Sequence, residues 1–394
     1  MAASLALHEV KDVSTVVPER DALALYVHWP FCVSKCPYCD FNSHVRDRID
    51  QAAWREALLA DLAHEARLLP ERRLTSIFFG GGTPSLMEPE TAAAVIEAAR
   101  AHWVTDDDIE ITLEANPSSV EAARFADLAA AGVNRVSLGL QSLDDSALAF
   151  LGRAHSVTDG LAALETAQRH FRRVSFDLIY ALPGQRVQDW QAMLDRALGF
   201  GTGHLSLYQL TIEPGTRFAT MVARRDFEPL GADASAELFE LTQERTAAAG
   251  LPAYEISNHA RPGEESRHNL AYWRYRDYAG IGPGAHGRRL GQRTVRHKKP
   301  ENFIAAVARN GHGLVEEEAL SAREAAHEAL VMGLRLAEGL DTDELTERLG
   351  AELVEEAAVA RLVRLGLLER RRTHLAVTSQ GRLLLDSILG EIAA

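Results

Sequence analysis

Short apolar runs alternate with longer segments of helical period from Leu23 to about Leu251, the pattern that strand–helix units leave in a chain. The runs ALALYVHW, TSIFFGGG, DIEITLEA, NRVSLGLQS, RVSFDLIYAL and HLSLYQLTI predict six strands. Between and after them, AAWREALLADLAHEARLL, PETAAAVIEAARAHW, SVEAARFADLAAAG, VQDWQAMLDRALGFG and ASAELFELTQERTAAAG predict helices. Consecutive strand–helix units imply a parallel sheet, because each return to the same end needs a crossover. Six units are fewer than the eight that close a barrel, so the expected fold is α/β, a partial and open (β/α)6 barrel.

Chemistry in such sheets gathers at the carboxyl ends of the strands. The first predicted strand runs into a cysteine loop and the second into Gly80-Gly81-Gly82-Thr83-Pro84. The third carries Glu114, the fourth Gln141, the fifth Asp177 and the sixth Gln209. A polar residue at one such end is as readily a turn former or a helix cap. Polar or glycine-rich elements near all six ends outline a pocket rim.

The alternation stops at Arg261–Lys299, a stretch dense in aromatics and glycine with ten basic residues against three acidic ones. Such a segment can meet nucleic acid, an anionic planar ligand or only solvent. Beyond Glu316 helical periods return, in REAAHEALVMGLRLAEG, TDELTERLG and LVEEAAVARLVRLG, then LLERRRTHLAVTSQGRLLLDSIL reads as a strand pair and a final helix. That order suggests a mostly helical, winged-helix-like module. Arg370, Arg371 and Arg372 lie in its wing, but Glu352, Glu355 and Glu356 close by favour packing or protein docking over DNA reading. The expected organisation is an N-terminal segment 1–22, a core 23–255, a connecting region 256–315 and a C-terminal module 316–394.

Composition narrows the function. The chain has 394 residues, a hydrophobic content of 46% and a formal net charge of −14, ordinary for a folded protein and unlike a dedicated nucleic-acid binder. The first twenty residues lack the basic and long apolar parts of a signal peptide, and no run has the length of a membrane span.

All three cysteines, Cys32, Cys36 and Cys39, fall in YVHWPFCVSKCPYCDF, directly after the first strand. Three is odd and the loop is tight, which disfavours disulfides. Zinc takes four ligands, so a zinc site would need His28 or His44 to complete it. A four-iron cubane needs an outer ligand on each iron; three thiolates leave one iron open for a substrate or cofactor. Oxygen-sensitive chemistry without disulfides predicts a reducing compartment, the cytoplasm.

The C-x3-C-x2-C spacing resembles the radical S-adenosylmethionine (SAM) superfamily, in which SAM chelates the open iron and its C–S bond is broken to a 5′-deoxyadenosyl radical. With FFGGGTPS, LEANP, GLQS, DLIYALPGQ and RHNLAYW in family order, the chain from Leu23 onward resembles the group around oxygen-independent coproporphyrinogen III dehydrogenase. Within that group it is most similar to the haem-chaperone branch. The dehydrogenases typically place a further cysteine where this chain has Phe41, and carry a longer N-terminal segment; HNLAYW matches the branch's HNxxYW signature.

The resemblance implies that Cys32, Cys36 and Cys39 ligate a [4Fe–4S] cluster. It implies that Tyr26, Tyr38, Gly81, Gly82 and Thr83 meet SAM, and that Glu114, Gln141, Arg153 and Asp177 match positions contacting one or other of two SAM molecules. It makes haem the cargo, with His268 the first candidate ligand, His28, His259 and His286 behind it, and Arg267, Arg274 and Arg276 candidates to pair with propionates. The partners it implies are apo-haem proteins such as respiratory cytochromes, with a homodimer left open and no nucleic acid or membrane span. Two enzymatic readings stand beside it: oxidative decarboxylation of coproporphyrinogen propionates, and radical modification of RNA.

Overall fold

The computed structural model describes residues 21–46 and 48–393, so most of the expected N-terminal segment 1–22 lies outside the described residues. The six predicted strands form where the apolar runs lie: β1 (Ala22–Trp29), β2 (Arg73–Gly81), β3 (Val104–Ala115), β4 (Arg135–Gln141), β5 (Arg173–Tyr180) and β6 (His204–Gln209). They pair in chain order, all parallel. The order never reverses, which is the winding of a barrel rather than of a doubly wound sheet.

The sheet does not stop at six strands. On one side β7 (Asn258–Ala260) joins β6 antiparallel. On the other, β8 (Asp277–Ile281) joins β1 in parallel, followed by an antiparallel meander of β9 (His286–Arg289), β10 (Gln292–Arg296) and β11 (Leu314–Ala319). The full order is β11-β10-β9-β8-β1-β2-β3-β4-β5-β6-β7, with distinct strands at its two edges. The aromatic, glycine-rich stretch read as a break in the pattern thus supplies strands of the same sheet. Its runs are only four or five residues long and lack the apolar alternation that marks the first six.

The two faces of β1–β6 differ. Leu23, Leu25, Val27, Ile77, Phe79, Ile111, Leu113, Val136, Leu138, Phe176 and Leu205 bury one face under Gln51–Leu68, Pro89–His102, Val157–His170 and Val187–Leu198. Alternate positions on the other face hold Ser76, Glu110, Thr112, Arg135, Ser137, Ser175, His204 and Ser206, all buried and polar. Burying so many polar groups costs free energy unless each finds a partner, so this face is where a site can be built. The segment SVEAARFADLAAAG, expected as one helix, forms two, Ser119–Ala122 and Phe125–Ala130. Glu121, in the first of them, is buried and accepts bonds from Ser118 and from the Asn116 backbone at 2.8 Å.

After the sheet come the helices Ala322–Gly333, Thr342–Leu349 and Glu356–Arg364, a three-stranded sheet of Leu340–Asp341, Leu368–Arg371 and His374–Val377, and the helix Leu385–Ile392. They enclose their own apolar cluster, centred on Leu330, Val359, Leu375 and Ile392. In the expected wing Arg370 pairs with Glu356 at 2.5 Å and Arg371 with Glu369 at 2.6 Å, which spends two of its three charges on neighbouring carboxylates.

Candidate cofactor site

The cysteine loop is pinned on both flanks. The Gly82 and Thr83 amides donate to the Trp29 and Phe31 carbonyls at 2.7 and 2.8 Å. The Phe218 amide donates to the Pro37 carbonyl at 2.9 Å. Farther along, Asn42 Nδ2 donates to the Pro283 and Lys298 carbonyls, tying the loop to the added strands. Behind it Trp29, Phe31 and Trp54 stack edge to face with centroids 5.2–6.1 Å apart.

All three thiols line one cavity of about 500 Å3 at the carboxyl ends of β1–β5. Tyr38, Gly81, Gly82, Thr83, Glu114, Gln141, Arg153 and Asp177 line it too, so eight of the nine residues expected around SAM meet in one place. The ninth, Tyr26, lies beside it on β1, its hydroxyl 2.9 Å from His28 Nδ1.

Gly82 has a more specific reason to be glycine than cofactor approach alone. A Cβ there would stand 2.7 Å from the Phe31 carbonyl oxygen, so only a bare backbone lets the cysteine loop cross the end of β2. Gln141 sits at φ 64°, a left-handed conformation unusual for a side-chain-bearing residue, at the point where β4 meets the cavity.

The thiols receive directed partners. Thr83 Oγ1 donates to Cys32 Sγ at 3.5 Å and Arg153 Nη1 to Cys36 Sγ at 3.3 Å. Burial pushes the Cys32 and Cys39 thiols up, an effect that ligation to iron reverses by stabilising the thiolate. Three thiols lining one cavity and a guanidinium to offset thiolate charge suit a three-cysteine iron–sulfur cluster. The histidines that a zinc site would need are engaged elsewhere: His44 Nε2 lies 3.2 Å from Asn42 Oδ1. His28 already has both ring nitrogens engaged, on Tyr26 and on the Asn42 carbonyl.

Two carboxyls stand opposite the thiols. Burial, reinforced by the Asp177 charge, pushes Glu114 up to about 8, against the pull of the Gly81 amide that donates to it at 3.2 Å. Burial likewise pushes Asp177 up to about 6 although Ser137 donates to it. A positive charge brought beside these buried carboxyls would favour their ionised forms.

One residue of the site escaped sequence reasoning. Asn116, in the LEANP motif, donates to Thr83 Oγ1 at 2.9 Å and accepts from Arg153 at 2.6 Å, joining the two residues that address the thiols. The signal was available in the polar residue two places beyond Glu114, but an asparagine before proline reads first as a turn former.

The haem candidates lie elsewhere. His268 is 1% exposed in the short helix Arg267–Trp273, which covers the amino-terminal half of the polar face. Its Nδ1 is 3.0 Å from Ser76 Oγ, its Nε2 is 2.8 Å from the Tyr272 hydroxyl, and its ring stacks on Phe78. Glu110 receives the Arg267 and His268 amides at 3.1 Å each and the Arg173 guanidinium at 2.6 Å. Arg267 and Arg274 are paired with Asp108 and Glu338, both at 2.7 Å.

A three-thiol loop over a glycine turn, at the open end of a partly wound parallel sheet, defines a radical SAM protein. The model of the Radical SAM superfamily matches residues 26–197, and that of the HemN C-terminal domain matches residues 320–384. "Radical S-adenosyl methionine domain-containing protein 1, mitochondrial" of Bos taurus is 40% identical over 94% of this chain and 87% of its own length. "Heme chaperone HemW" of Escherichia coli (strain K12) is 36% identical over 93% of this chain and 97% of its own length, and that of Mycobacterium tuberculosis (strain ATCC 25618 / H37Rv) is 37% identical over 93% of each. The chain therefore belongs, within the radical SAM superfamily, to the family that contains the HemW proteins. Escherichia coli coproporphyrinogen III oxidase (HemN) superposes with a TM-score of 0.78 over 95% of this chain and 90% of its own, at 22% identity, which shows the shared fold. Membership implies a [4Fe–4S] cluster and SAM, and the cavity residues fit both. No helix among the described residues is long and apolar enough to cross a membrane.

Proposed function

We propose that this chain is a haem chaperone: it binds haem and hands it to apo-haem proteins, on a scaffold that carries a [4Fe–4S] cluster and SAM. The observation that carries this reading is kinship along nearly the whole chain, 31–37% identity over 93–95% of it, with proteins named for that activity in five bacterial strains. Cys32, Cys36 and Cys39 would hold the cluster, Arg153 and Thr83 would steady two of the thiolates, and Glu114 and Asp177 would meet the charge of SAM. When bound, the cluster supplies one-electron reduction and SAM a cleavable sulfonium. The protein residues' part is to orient both and to keep the thiolates and carboxyls shielded from bulk water.

His268 enters this reading as a buried brace of the sheet, since it is 1% exposed and ligating iron would break one of the two hydrogen bonds its ring makes. Respiratory cytochromes are the recipients we propose, in the cytoplasm or an equivalent reducing compartment, with a homodimer as the form to look for by light scattering. Anaerobic titration with haem, then incubation with an apo-cytochrome, tests the reading: saturation near one haem per chain and transfer of the Soret absorbance are expected, and a titration that never saturates would refute it.

The second reading, oxidative decarboxylation of coproporphyrinogen, draws on Glu114, Gln141, Arg153 and Asp177 sharing the cavity. Phe41, 59% exposed where the dehydrogenases typically hold a further cysteine, speaks against it. Incubation with coproporphyrinogen III, SAM and reductant should release no CO2 and no protoporphyrinogen.

A further inference from the structure

A second cleft, of about 360 Å3, opens between the meander and the C-terminal helices, away from the cysteines. His286 and Arg293 line it from β9 and β10, His327 and Met332 from the helix Ala322–Gly333, together with Tyr278 and with Arg288, whose guanidinium lies 3.9 Å from the Glu328 carboxylate that also lines the cleft. We propose that this cleft is the haem-docking site, with its imidazoles as axial ligands to the iron and Arg293 as partner to a propionate. The proposal rests on the chaperone reading and deepens it by giving the cargo a place.

Four observations carry it. First, an axial ligand needs a free ring nitrogen within reach of a large planar molecule. His268 and His28 have both ring nitrogens engaged and His259 is 1% exposed, whereas His286 and His327 are exposed and their rings enter no hydrogen bond among the described residues. Second, the two imidazoles come from different walls of the cleft, His286 from β9 and His327 from the helix Ala322–Gly333, so a planar ligand between the walls can meet both. Third, the ion-pair partner of Arg293 among the described residues is Glu318, in a pair whose side chains are 49% and 65% exposed, an arrangement that exchanges partners at small cost. Fourth, the cleft combines a thioether and an aromatic ring with these polar groups, the mixture that a macrocycle with an apolar body and a charged edge requires. Because both histidines are exposed, cargo held there stays accessible to a recipient, as delivery demands.

The test is an anaerobic haem titration of the full cluster-loaded chain followed in the Soret region. Wild type should saturate near one haem per chain. The His286→Ala/His327→Ala double variant should bind at least about tenfold more weakly, with a displaced Soret maximum, at unchanged iron content and circular dichroism. Arg293→Ala should weaken haem a few-fold and leave haem dimethyl ester, which lacks the propionate charge, unaffected. A double variant that saturates with wild-type affinity and spectrum overturns the site while leaving the chaperone reading standing. A wild-type chain that never saturates overturns both.

Discussion

The polar face of the sheet is used in two opposite ways along its length. At the carboxyl ends, Gly81, Glu114, Gln141 and Asp177 line an open cavity. Toward the amino ends, Ser76, Glu110 and Arg173 sit on the same strands but are closed over by the helix Arg267–Trp273, each bonded within the protein. One alternation of side chains produces both, since residues two apart on a strand share a face. What separates a site from a brace is what covers it: a loop that leaves room, or a helix whose backbone amides consume the carboxylate's bonding capacity.

Removing the thiols should produce the largest change. A Cys32→Ala/Cys36→Ala/Cys39→Ala variant should lose its iron entirely, from about four irons per chain to none, by iron and sulfide analysis after anaerobic reconstitution. Its secondary structure should persist, because the loop is also held by Gly82, Thr83 and Phe218. Retention of iron in that variant would remove the cluster from this cavity.

Gly82→Val strikes the same end by another route. The added side chain meets Phe31 backbone rather than a movable neighbour, so the loop must shift. Reduced wild-type protein should change its paramagnetic resonance spectrum on addition of SAM, and the variant should not. An unaltered response would mean that the loop can give way without loss of the cofactor pocket.

The braced end should answer as stability instead. Glu110→Ala leaves two backbone amides without their acceptor and takes one of the two carboxylates from Arg173, which keeps Glu264, a loss of about 1–3 kcal/mol, read by denaturant unfolding of cluster-loaded protein. His268→Ala forfeits two hydrogen bonds and a stacked ring, about 2–4 kcal/mol, with the SAM-induced spectral change kept. If His268→Ala instead abolished that change and left stability alone, the division between the two ends would be wrong.

Much of the open end was legible in the sequence because each of its parts is local. The cysteine spacing, the glycine turn and a polar residue closing each apolar run can be read within a few residues, and the six strands stand within a few residues of their expected limits. The braced end was not legible. Ser76, Glu110 and His268 come together across as many as 192 positions, and nothing local to RHNLAYW separates a ligand-bearing helix from one docked on a carboxylate. The added strands escaped for a different reason: β8–β10 are only four or five residues long with consecutive buried positions, leaving no side-chain alternation to read.

The smallest expected effect is also the most direct probe of how the open end is poised. Glu114 has a folded-state pKa near 8, raised by burial above its unfolded value, so the protein holds this proton more tightly when folded. Its contribution to stability is therefore full below the ordinary carboxylate range and is lost as pH rises through about 8. Glu114→Gln keeps the shape and removes the titration. Without SAM, the melting temperature of cluster-loaded wild type should fall between pH 6 and pH 9 by roughly 2 °C more than that of the variant. Added SAM should narrow the gap, because its ammonium and sulfonium charges favour the ionised carboxylate. A wild-type profile that parallels the variant with and without SAM would show that Glu114 stays ionised throughout, and the cavity would then be a solvated pocket rather than one held ready for a cation.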